Sequence, residues 1–296
     1  MPQLKEVLLK IQGIKKTKQI TKAMNMVAAS RLRGAQSNME AFRPYAAKFA
    51  EVLGSLAKNA GEEASPLLVP KEEPKKVNIV LCTSDRGLCG GFNINLIDKA
   101  RTLAKEKIEA GMEVCFTCFG KKGRDWARNN HKEIANQYIG VVGSSFGFNV
   151  AVTSGRELVS GYLDNKFDEV YVVYAEFISM AKQLPVAKQL LPIPPLEQVE
   201  TEVDENAPYL AEHICEPSTD ALLGVLLPKS IDVKIFSALL ETSTSEHAAR
   251  MMAMDNATKA CNDMLGNLQL AYNKARQAAI TADLMDIVGG AEALKG

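Results

Sequence analysis

The sequence predicts an α/β protein, with a long antiparallel coiled coil of N- and C-terminal helices and a doubly wound α/β domain between them. Apolar residues recur about every 3.5 residues at both ends of the 296-residue chain, which is the repeat of a left-handed coiled-coil seam. In the middle, short apolar runs alternate with helical patterns, as in a mostly parallel sheet covered by helices. We therefore expect one coiled-coil helix at residues 1–60, a globular domain at 77–200 and a second coiled-coil helix at 218–296.

The N-terminal repeat runs from Leu4 to Leu56 in alternating steps of three and four residues, and thirteen of its sixteen positions are apolar. With about 1.5 Å of rise per residue, about 55 helical residues extend roughly 80 Å, which suits a rod. The polar positions are consecutive: Lys18, Thr21 and Asn25. The apolar residues of this stretch are Ile20, Met24 and Val27. We expect the helix to change its facing direction there, or to meet another neighbour.

The C-terminal repeat continues the same spacing from Met251 to Ala282, so the partner helix lies in the same chain. Its last seam positions are small, which allows close helix approach or a fit into a narrow sleeve: Ala275, Ala278, Ala279 and Ala282. We expect Gly289 and Gly290 to end this helix.

Composition limits the function classes. Hydrophobic residues make up 47% of the chain, enough for a substantial core. The chain has no uncharged apolar run of 18 residues, and its N-terminus begins directly with an amphipathic helix. We therefore expect a soluble protein that neither spans a membrane nor is exported, and that carries no organelle transit peptide.

The net charge is zero, yet the charges are unevenly distributed. Residues 1–36 contain eight Lys or Arg and one acid, whereas residues 189–228 contain eight acids and no base. A basic helix binds nucleic acid, an anionic membrane or an acidic protein surface, or it is simply a solvated face. Aromatic residues do not alternate with these bases, so nucleic acid is the least favoured partner.

The six cysteines and three histidines do not indicate a metal site. Cys115 and Cys118 form a CxxC inside a predicted strand, where residues three apart point to opposite faces, so we expect two buried thiols. The irregular cysteine spacing does not suggest a disulfide framework. We also expect no nucleophile elbow and no convergent set of Ser, His and Asp. The sequence thus predicts no catalytic residue, no cofactor and no metal.

The middle of the chain begins after residues 61–76, a proline-containing stretch that predicts a linker. We expect strands at residues 77–83, 112–119, 169–178 and 184–193, and helices at 95–110, 121–130 and 146–165. Strands alternating with helices in this way predict a doubly wound, Rossmann-like sheet.

A glycine-containing turn, SDRGLCGGFN, follows the first predicted strand at residues 84–93. Its Gly87, Gly90 and Gly91 could expose backbone N–H groups to a phosphate. The motif is neither GxGxxG nor GxxxxGK[ST], and Phe119 and Gly120 occupy the place of a ribose-binding acid. We therefore favour tight-turn packing over phosphate binding.

Four segments together resemble the gamma subunit family of F-type ATP synthases. They are IKKTKQITKAMNMVAASRLRGAQ (14–36), the turn SDRGLCGGFN, SEHAARMMAMDNATKA (245–260) and ITADLMDIVGGAEAL (280–294). The match covers almost the whole chain in the family's order. The motif positions are Ser84, Asp85, Arg86, Gly87, Gly90, Gly91, Ile280, Thr281, Asp283, Asp286, Gly290 and Ala291.

The resemblance implies a non-catalytic central rotor stalk. Such a subunit couples ion-driven c-ring rotation to conformational changes of the catalytic alpha/beta ring, for ATP synthesis or hydrolysis. The implied partners are the alpha, beta and epsilon subunits and the c-ring. Membrane association, at the cytoplasmic side of a bacterial inner membrane, would come only through the complex. The residues expected to contact the alpha/beta ring are Lys15, Lys16, Lys22, Met24, Arg31, Arg33, Arg250, Arg276 and Asp283.

The chain departs from the family pattern in a few places. Ala282 and Asp283 stand where the family commonly has Gln and Glu, so a polar contact attributed to that Gln is in doubt. Asn25 occupies a position that is often charged. Only Cys215 lies where chloroplast relatives have two cysteines, so we expect no thiol switch.

Two placements follow from the resemblance and the composition. We expect the acidic segment 197–216 at the membrane-facing end, where it meets epsilon or the c-ring. We expect the apolar tip 280–294 in an apolar bearing formed by alpha and beta. Two other function classes stay open: a nucleotide-dependent enzyme that binds phosphate at residues 87–91, and a coiled-coil adaptor with no rotary role.

Overall fold

The computed structural model describes residues 2–59, 65–194 and 218–294. Within them the chain forms two compact units: Met1–Ala29 with Arg250–Gly296, and Ser30–Ala249. The predicted division into a helix at 1–60, a globular domain at 77–200 and a helix at 218–296 stays a prediction. The elements are α1 (Pro2–Asn59), β1 (Lys76–Cys82), α2 (Phe92–Glu109), β2 (Glu113–Phe119), α3 (Lys121–Asn129), β3 (Glu133–Tyr138), α4 (Phe148–Leu163), β4 (Glu169–Phe177), β5 (Gln183–Leu191) and α5 (Thr219–Ala293).

The first unit is an antiparallel coiled coil. Thr21 of α1 lies opposite Thr258 of α5, and Asn25 lies beside Met251, so residue numbers fall along one helix as they rise along the other. Seam residues on both helices are buried at the predicted spacing: Ile11, Ala28, Met254 and Cys261. The predicted coiled coil is therefore confirmed in this unit.

Of the two expectations for the stretch near Lys18, the change of facing direction is wrong, whereas contact with another neighbour stays a prediction. Ile20 and Val27 are 59% and 55% exposed, so the apolar residues of this stretch do not take over the seam. Thr21 is buried instead, and Asn25 is half-buried. The seam keeps its direction because hydrogen bonds across the helix pair satisfy these polar side chains.

The predicted helix end at Gly289 and Gly290 is also wrong, because α5 continues to Ala293. Glycine ends a helix when it adopts a left-handed conformation, and neither of these glycines has a positive φ. Inside a helix each glycine costs only about 1 kcal/mol relative to alanine. The alanines that follow are strong helix formers, so the helix persists for a further turn.

The second unit contains a five-stranded sheet in the order β3-β2-β1-β4-β5. Strands β1 to β4 are mutually parallel, and β5 pairs antiparallel with β4. Side chains of α2 and α3 cover one face, whereas side chains of α1, α4 and α5 cover the other. The predicted doubly wound, mostly parallel sheet is confirmed. The sequence prediction missed β3, whose residues EIANQY alternate between exposed and half-buried positions at one sheet edge.

Aromatic rings join three helices on the α4 face of the sheet. The ring of Phe236 in α5 lies 4.8 Å from Phe42 of α1 and 5.2 Å from Phe148 of α4, measured between centroids. Both contacts are edge-to-face, the arrangement that the ring quadrupoles favour. Side-chain packing therefore holds the C-terminal part of α1, residues 30–59, within the second unit.

The described part of the predicted linker, residues 65–75, packs against the sheet domain. Leu67 is 4% exposed, and its carbonyl oxygen accepts a hydrogen bond from the Ile193 N–H at 2.8 Å. The Lys71 ammonium lies 2.9 Å from the Asp168 carboxylate. These contacts hold the segment before β1 against the sheet domain. The acidic segment 197–216 and Cys215 lie outside the described residues.

Candidate functional site

The basic side chains of α1 face solvent. Lys15, Lys16 and Lys22 are exposed in the first unit, and Arg31 and Arg33 are exposed in the second. Across the described ranges, no carboxylate forms an ion pair with any of these five bases. Solvated, unpaired cations keep their charge available for an acidic surface of another chain.

An apolar strip runs along α1 in the first unit. Leu9, Ile20 and Val27 are separated by eleven and seven residues, which places them within about 20° on a helix. They are between 55% and 59% exposed. Lys16 lies on the same side of the helix. A row of exposed apolar side chains beside bases is typical of a surface that meets another protein.

The other predicted contact residues differ in exposure. Arg276 and Asp283 are exposed, and Met24 is half-buried. Arg250 is only 9% exposed, so a contact there would use the edge of a side chain that is mostly covered by its own chain. The contact role of all nine residues stays a prediction.

The end of α5 is solvent-exposed in this chain. Ala279 is the last half-buried residue of the seam, and every described residue from 280 to 294 is exposed. Several of these side chains are large and apolar, with exposed fractions of 68% for Met285, 67% for Ile287 and 61% for Val288. So much exposed apolar surface on one short segment indicates an interaction site.

A polar layer interrupts the seam of the first unit at Thr21, Asn25 and Thr258. The two hydroxyl oxygens lie 2.8 Å apart, and the Asn25 amide donates to the Met251 carbonyl oxygen at 2.8 Å. Each hydroxyl also lies within hydrogen-bond distance of a carbonyl oxygen in its own helix, Lys18 or Met254. One hydroxyl therefore donates across the seam while the other donates to its own helix. The polar positions were visible in the sequence, but this mutual pairing was not.

The turn SDRGLCGGFN is filled by its own side chains. The Asp85 carboxylate accepts the Lys121 N–H at 3.0 Å and the Gly140 N–H at 2.9 Å. Lys121 is the first residue of α3, so this carboxylate already neutralises the positive end of that helix. The turn is closed further by Asn93, whose side chain pairs with Ser84.

This geometry favours the packing interpretation of the glycines. Gly90 has a φ of 59°, a conformation that suits glycine. Arg86, Gly87 and Gly91 lie in the same turn, so the family-motif residues of the sheet domain build one compact connection. The sequence prediction considered a phosphate there and missed the two backbone hydrogen bonds that Asp85 accepts beside the turn.

The two CxxC thiols are not activated, and the described ranges contain no cluster of metal-ligating side chains. Burial raises the pKa of Cys115 to about 11 and that of Cys118 to about 12, so both thiols stay protonated near neutral pH. Cys118 is buried, whereas Cys115 is half-buried and donates weakly to the Val77 carbonyl oxygen at 3.5 Å. Residues 2–59, 65–194 and 218–294 contain no group of three His, Cys, Asp or Glu that could hold a metal ion. None of the helices in these ranges has the length and apolarity needed to cross a membrane.

Sequence comparisons decide the family. A family model described as ATP synthase matches residues 3–294. The ATP synthase gamma chain of Desulfosudis oleivorans is 69% identical over 298 residues, with 100% of both chains covered. The chain belongs to the ATP synthase gamma chain family. The gamma chain of Desulforapulum autotrophicum is 65% identical, covering 99% of this chain and 100% of that relative.

Solved structures share the fold of this gamma-family chain. A chain from the central stalk and c-ring structure of the Tetrahymena thermophila mitochondrial ATP synthase has a TM-score of 0.59 at 24% identity, covering 80% of this chain and 99% of that one. A chain from the rotor of the Euglena gracilis mitochondrial ATP synthase has a TM-score of 0.63 at 17% identity, covering 94% and 99%. The coiled coil joined to an α/β domain is thus an architecture found in ATP synthase rotors.

Proposed function

We propose that this chain is the central rotor subunit of an F-type ATP synthase, coupling ion-driven rotation of a c-ring to conformational changes in an alpha/beta ring. The observation that carries the proposal is the full-length match to gamma chains. The exposed bases of α1 and the exposed apolar end of α5 support it, because a shaft inside a ring needs surfaces that other subunits contact.

The alpha and beta subunits are the proposed partners of the coiled coil. Lys15, Lys16, Lys22, Arg31 and Arg33 would meet acidic segments of the beta subunits. Contacts between solvent-exposed charges are each worth about 1 kcal/mol or less, so they can break and re-form at every rotational step. Arg250 and Arg276 of α5 would add contacts from the second helix.

A reconstitution experiment tests this role. The full chain is mixed with alpha and beta subunits, and complex formation and ATP-driven rotation are measured. We expect a stoichiometric complex in which replacing Lys15, Lys16 and Lys22 by Gln slows rotation under load. Gln at Lys99, Lys105 and Lys132, exposed bases of the α/β domain, is the matched control and should leave rotation unchanged. Failure to form any stoichiometric complex would favour an adaptor without a rotary role.

We further propose that the chain itself is not catalytic. Asp85 and Asn93 bond within and beside the turn, and Gly90 adopts a φ of 59° there, so packing accounts for the turn without a nucleotide. The purified chain should therefore hydrolyse no ATP, and nucleotide titration should show no saturable micromolar binding. ATP hydrolysis that disappears on changing Gly90 or Gly91 would instead support the enzyme alternative.

The proposed location is the cytoplasmic side of a bacterial inner membrane, reached only through the complex. Epsilon and the c-ring would contact the foot, to which we assign the acidic segment 197–216. Cross-linking from Cys215 in the assembled complex tests this placement. Products with epsilon or the c-ring are expected, and products with beta alone would contradict it.

A further inference from the structure

Two buried polar side chains in the central strands of the sheet have no hydrogen-bond partner among the described residues. Asn78 of β1 is fully buried and Thr117 of β2 is 1% exposed. Within the described part of the chain, neither the amide oxygen and nitrogen of Asn78 nor the Thr117 hydroxyl has a hydrogen-bond partner. A buried amide or hydroxyl is costly unless it is bonded, and such groups in folded proteins are almost always satisfied by protein or by ordered water.

Both side chains lie on the same face of the sheet. Asn78 pairs in register with Cys115, and Val80 pairs with Thr117, so Asn78 and Thr117 are diagonal neighbours on adjacent strands. Alternate strand residues share a face. Val80 and Phe119 belong to the core on the side of α1, α4 and α5, which places Asn78 and Thr117 on that side. Adjacent strands lie about 4.8 Å apart and two residues advance about 6.6 Å along a strand, so the backbones of these diagonal neighbours lie roughly 8 Å apart. One bridging molecule can span this separation between the polar ends.

The chemistry of this position favours a neutral ligand. The neighbouring Cys115 thiol is protonated, because burial raises its pKa to about 11, and it donates to the Val77 carbonyl oxygen. Amide, hydroxyl and thiol together carry no charge that would hold a metal ion or an anion. The Asn78 amide presents both a donor and an acceptor, and the threonine hydroxyl does the same. Water has this combination and the smallest size.

We propose that Asn78 and Thr117 form an internal water site between strands β1 and β2 and the helices on that face. The water accepts from the Asn78 amide nitrogen or donates to its oxygen, and completes its bonds at the Thr117 hydroxyl. Internal waters of this kind typically make about three hydrogen bonds and belong to the structure. The site ties two central strands together inside an otherwise apolar layer.

Oxygen-17 relaxation dispersion of the full chain in solution tests the site, because it counts water molecules held for long times inside a protein. Asn78→Val removes the polar group with a side chain suited to a strand, and should lower the count of long-lived waters by at least one. Thr117→Val, which is nearly isosteric, should lower the count or shorten the residence time. Thr117→Ser keeps the hydroxyl and should retain the wild-type count.

Ser154→Ala is the matched control. Ser154 is also fully buried, but its hydroxyl donates to the Val150 carbonyl oxygen of its own helix at 2.9 Å. Its removal should leave the water count unchanged. If Asn78→Val does not fold, Thr117→Val and Thr117→Ser carry the comparison. An unchanged count in both valine variants would overturn the proposal, as would a crystal structure in which the Asn78 amide bonds directly to protein atoms.

Discussion

At the residue scale, Gly120 shows why one backbone position next to the motif turn has to be glycine. It precedes α3 with a φ of 93°, and a Cβ there would overlap the Thr83 carbonyl oxygen. Both the conformation and the lack of space require glycine. We predict that Gly120→Ala lowers the free energy of unfolding by about 3–4 kcal/mol. This combines roughly 1–3 kcal/mol for alanine at a φ of 93° and a ψ of 150°, a region almost restricted to glycine, with a steric cost.

Gly111→Ala separates these two effects. Gly111 has a φ of 85°, but a Cβ there meets nothing within 4 Å. Its replacement should therefore cost only about 1–2 kcal/mol, the conformational part. Urea denaturation of the purified chain measures both variants. Equal losses would show that the overlap with Thr83 relaxes without cost.

Asp232 makes stability depend on pH. This carboxyl packs against Gly155 where α5 meets α4, and burial raises its pKa from 3.8 to about 6 despite the nearby Arg156 and Lys229. The folded state therefore holds the proton more tightly than the unfolded state. The resulting stabilisation is complete below pH 3.8 and is lost as pH rises through about 6.

Asp232→Asn should abolish this loss and raise the thermal midpoint at pH 7 relative to wild type. Thermal unfolding at a series of pH values between 4 and 7.5 measures the effect. The same replacement at the exposed Asp164 is the control, and it should leave the wild-type profile in place. A lower midpoint for Asp232→Asn at pH 7 would mean that the ionised carboxylate stabilises the fold.

At the element scale, the polar layer of the coiled coil is the least expected feature. Because Thr21 and Thr258 share one hydrogen bond, removing either hydroxyl removes the same interaction. A double-mutant cycle of Thr21→Val and Thr258→Val should give a coupling energy of about 1 kcal/mol. Thermal unfolding of the four proteins supplies the values.

Thr17→Val is the matched control for this cycle. The Thr17 hydroxyl donates to the Gly13 carbonyl oxygen in its own helix, as Thr21 can, but it is exposed and does not reach α5. Pairing Thr17→Val with Thr258→Val should give no coupling. A coupling near zero for the Thr21 pair as well would mean that each hydroxyl is satisfied by its own helix.

The elements that were predicted correctly are those with a strong hydrophobic period. The 3.5-residue repeat located the seam residues of both helices, such as Ile11 of α1 and Cys261 of α5. The apolar runs located β1, β2, β4 and β5. The sequence prediction missed β3 because an edge strand needs little apolar surface. Only Ile134 and Tyr138 in its sequence EIANQY are of types enriched in strands. The polar positions of the seam were visible, but their pairing was not predicted, because a hydrogen bond between residues 237 positions apart leaves no local pattern.

Site prediction depended on a different kind of information. The bases of α1 were recognised because charge is visible in a sequence, and their exposure follows from helical periodicity. Asp85 was included only as a motif residue, since its two backbone partners, Lys121 and Gly140, come from distant parts of the chain. Arg250 was expected at a contact surface, but its burial depends on packing that its own sequence neighbourhood does not reveal.

At the scale of the whole molecule, the two kinds of exposed surface suit different tasks in a rotor. Charged side chains such as Lys15 and Lys22 make directional contacts with acidic groups, and so can resist or transmit a tangential force. Small or apolar side chains such as Ala282 and Val288 are exposed and offer few directional contacts. We therefore propose that the basic part of the coiled coil transmits torque and that the end of α5 guides rotation.

Truncation after Ala279 tests this assignment, because it removes the exposed end and leaves the half-buried seam intact. We predict weaker assembly with alpha and beta subunits, or slower turnover, without loss of ATP-driven rotation. Gln in place of Met285, Ile287 and Val288 keeps the length and removes only the apolar surface, so it should reproduce most of the defect. Single-molecule rotation and ATPase assays of the reconstituted complexes measure both. A truncated rotor that assembles normally but cannot turn would show that the tip carries torque itself.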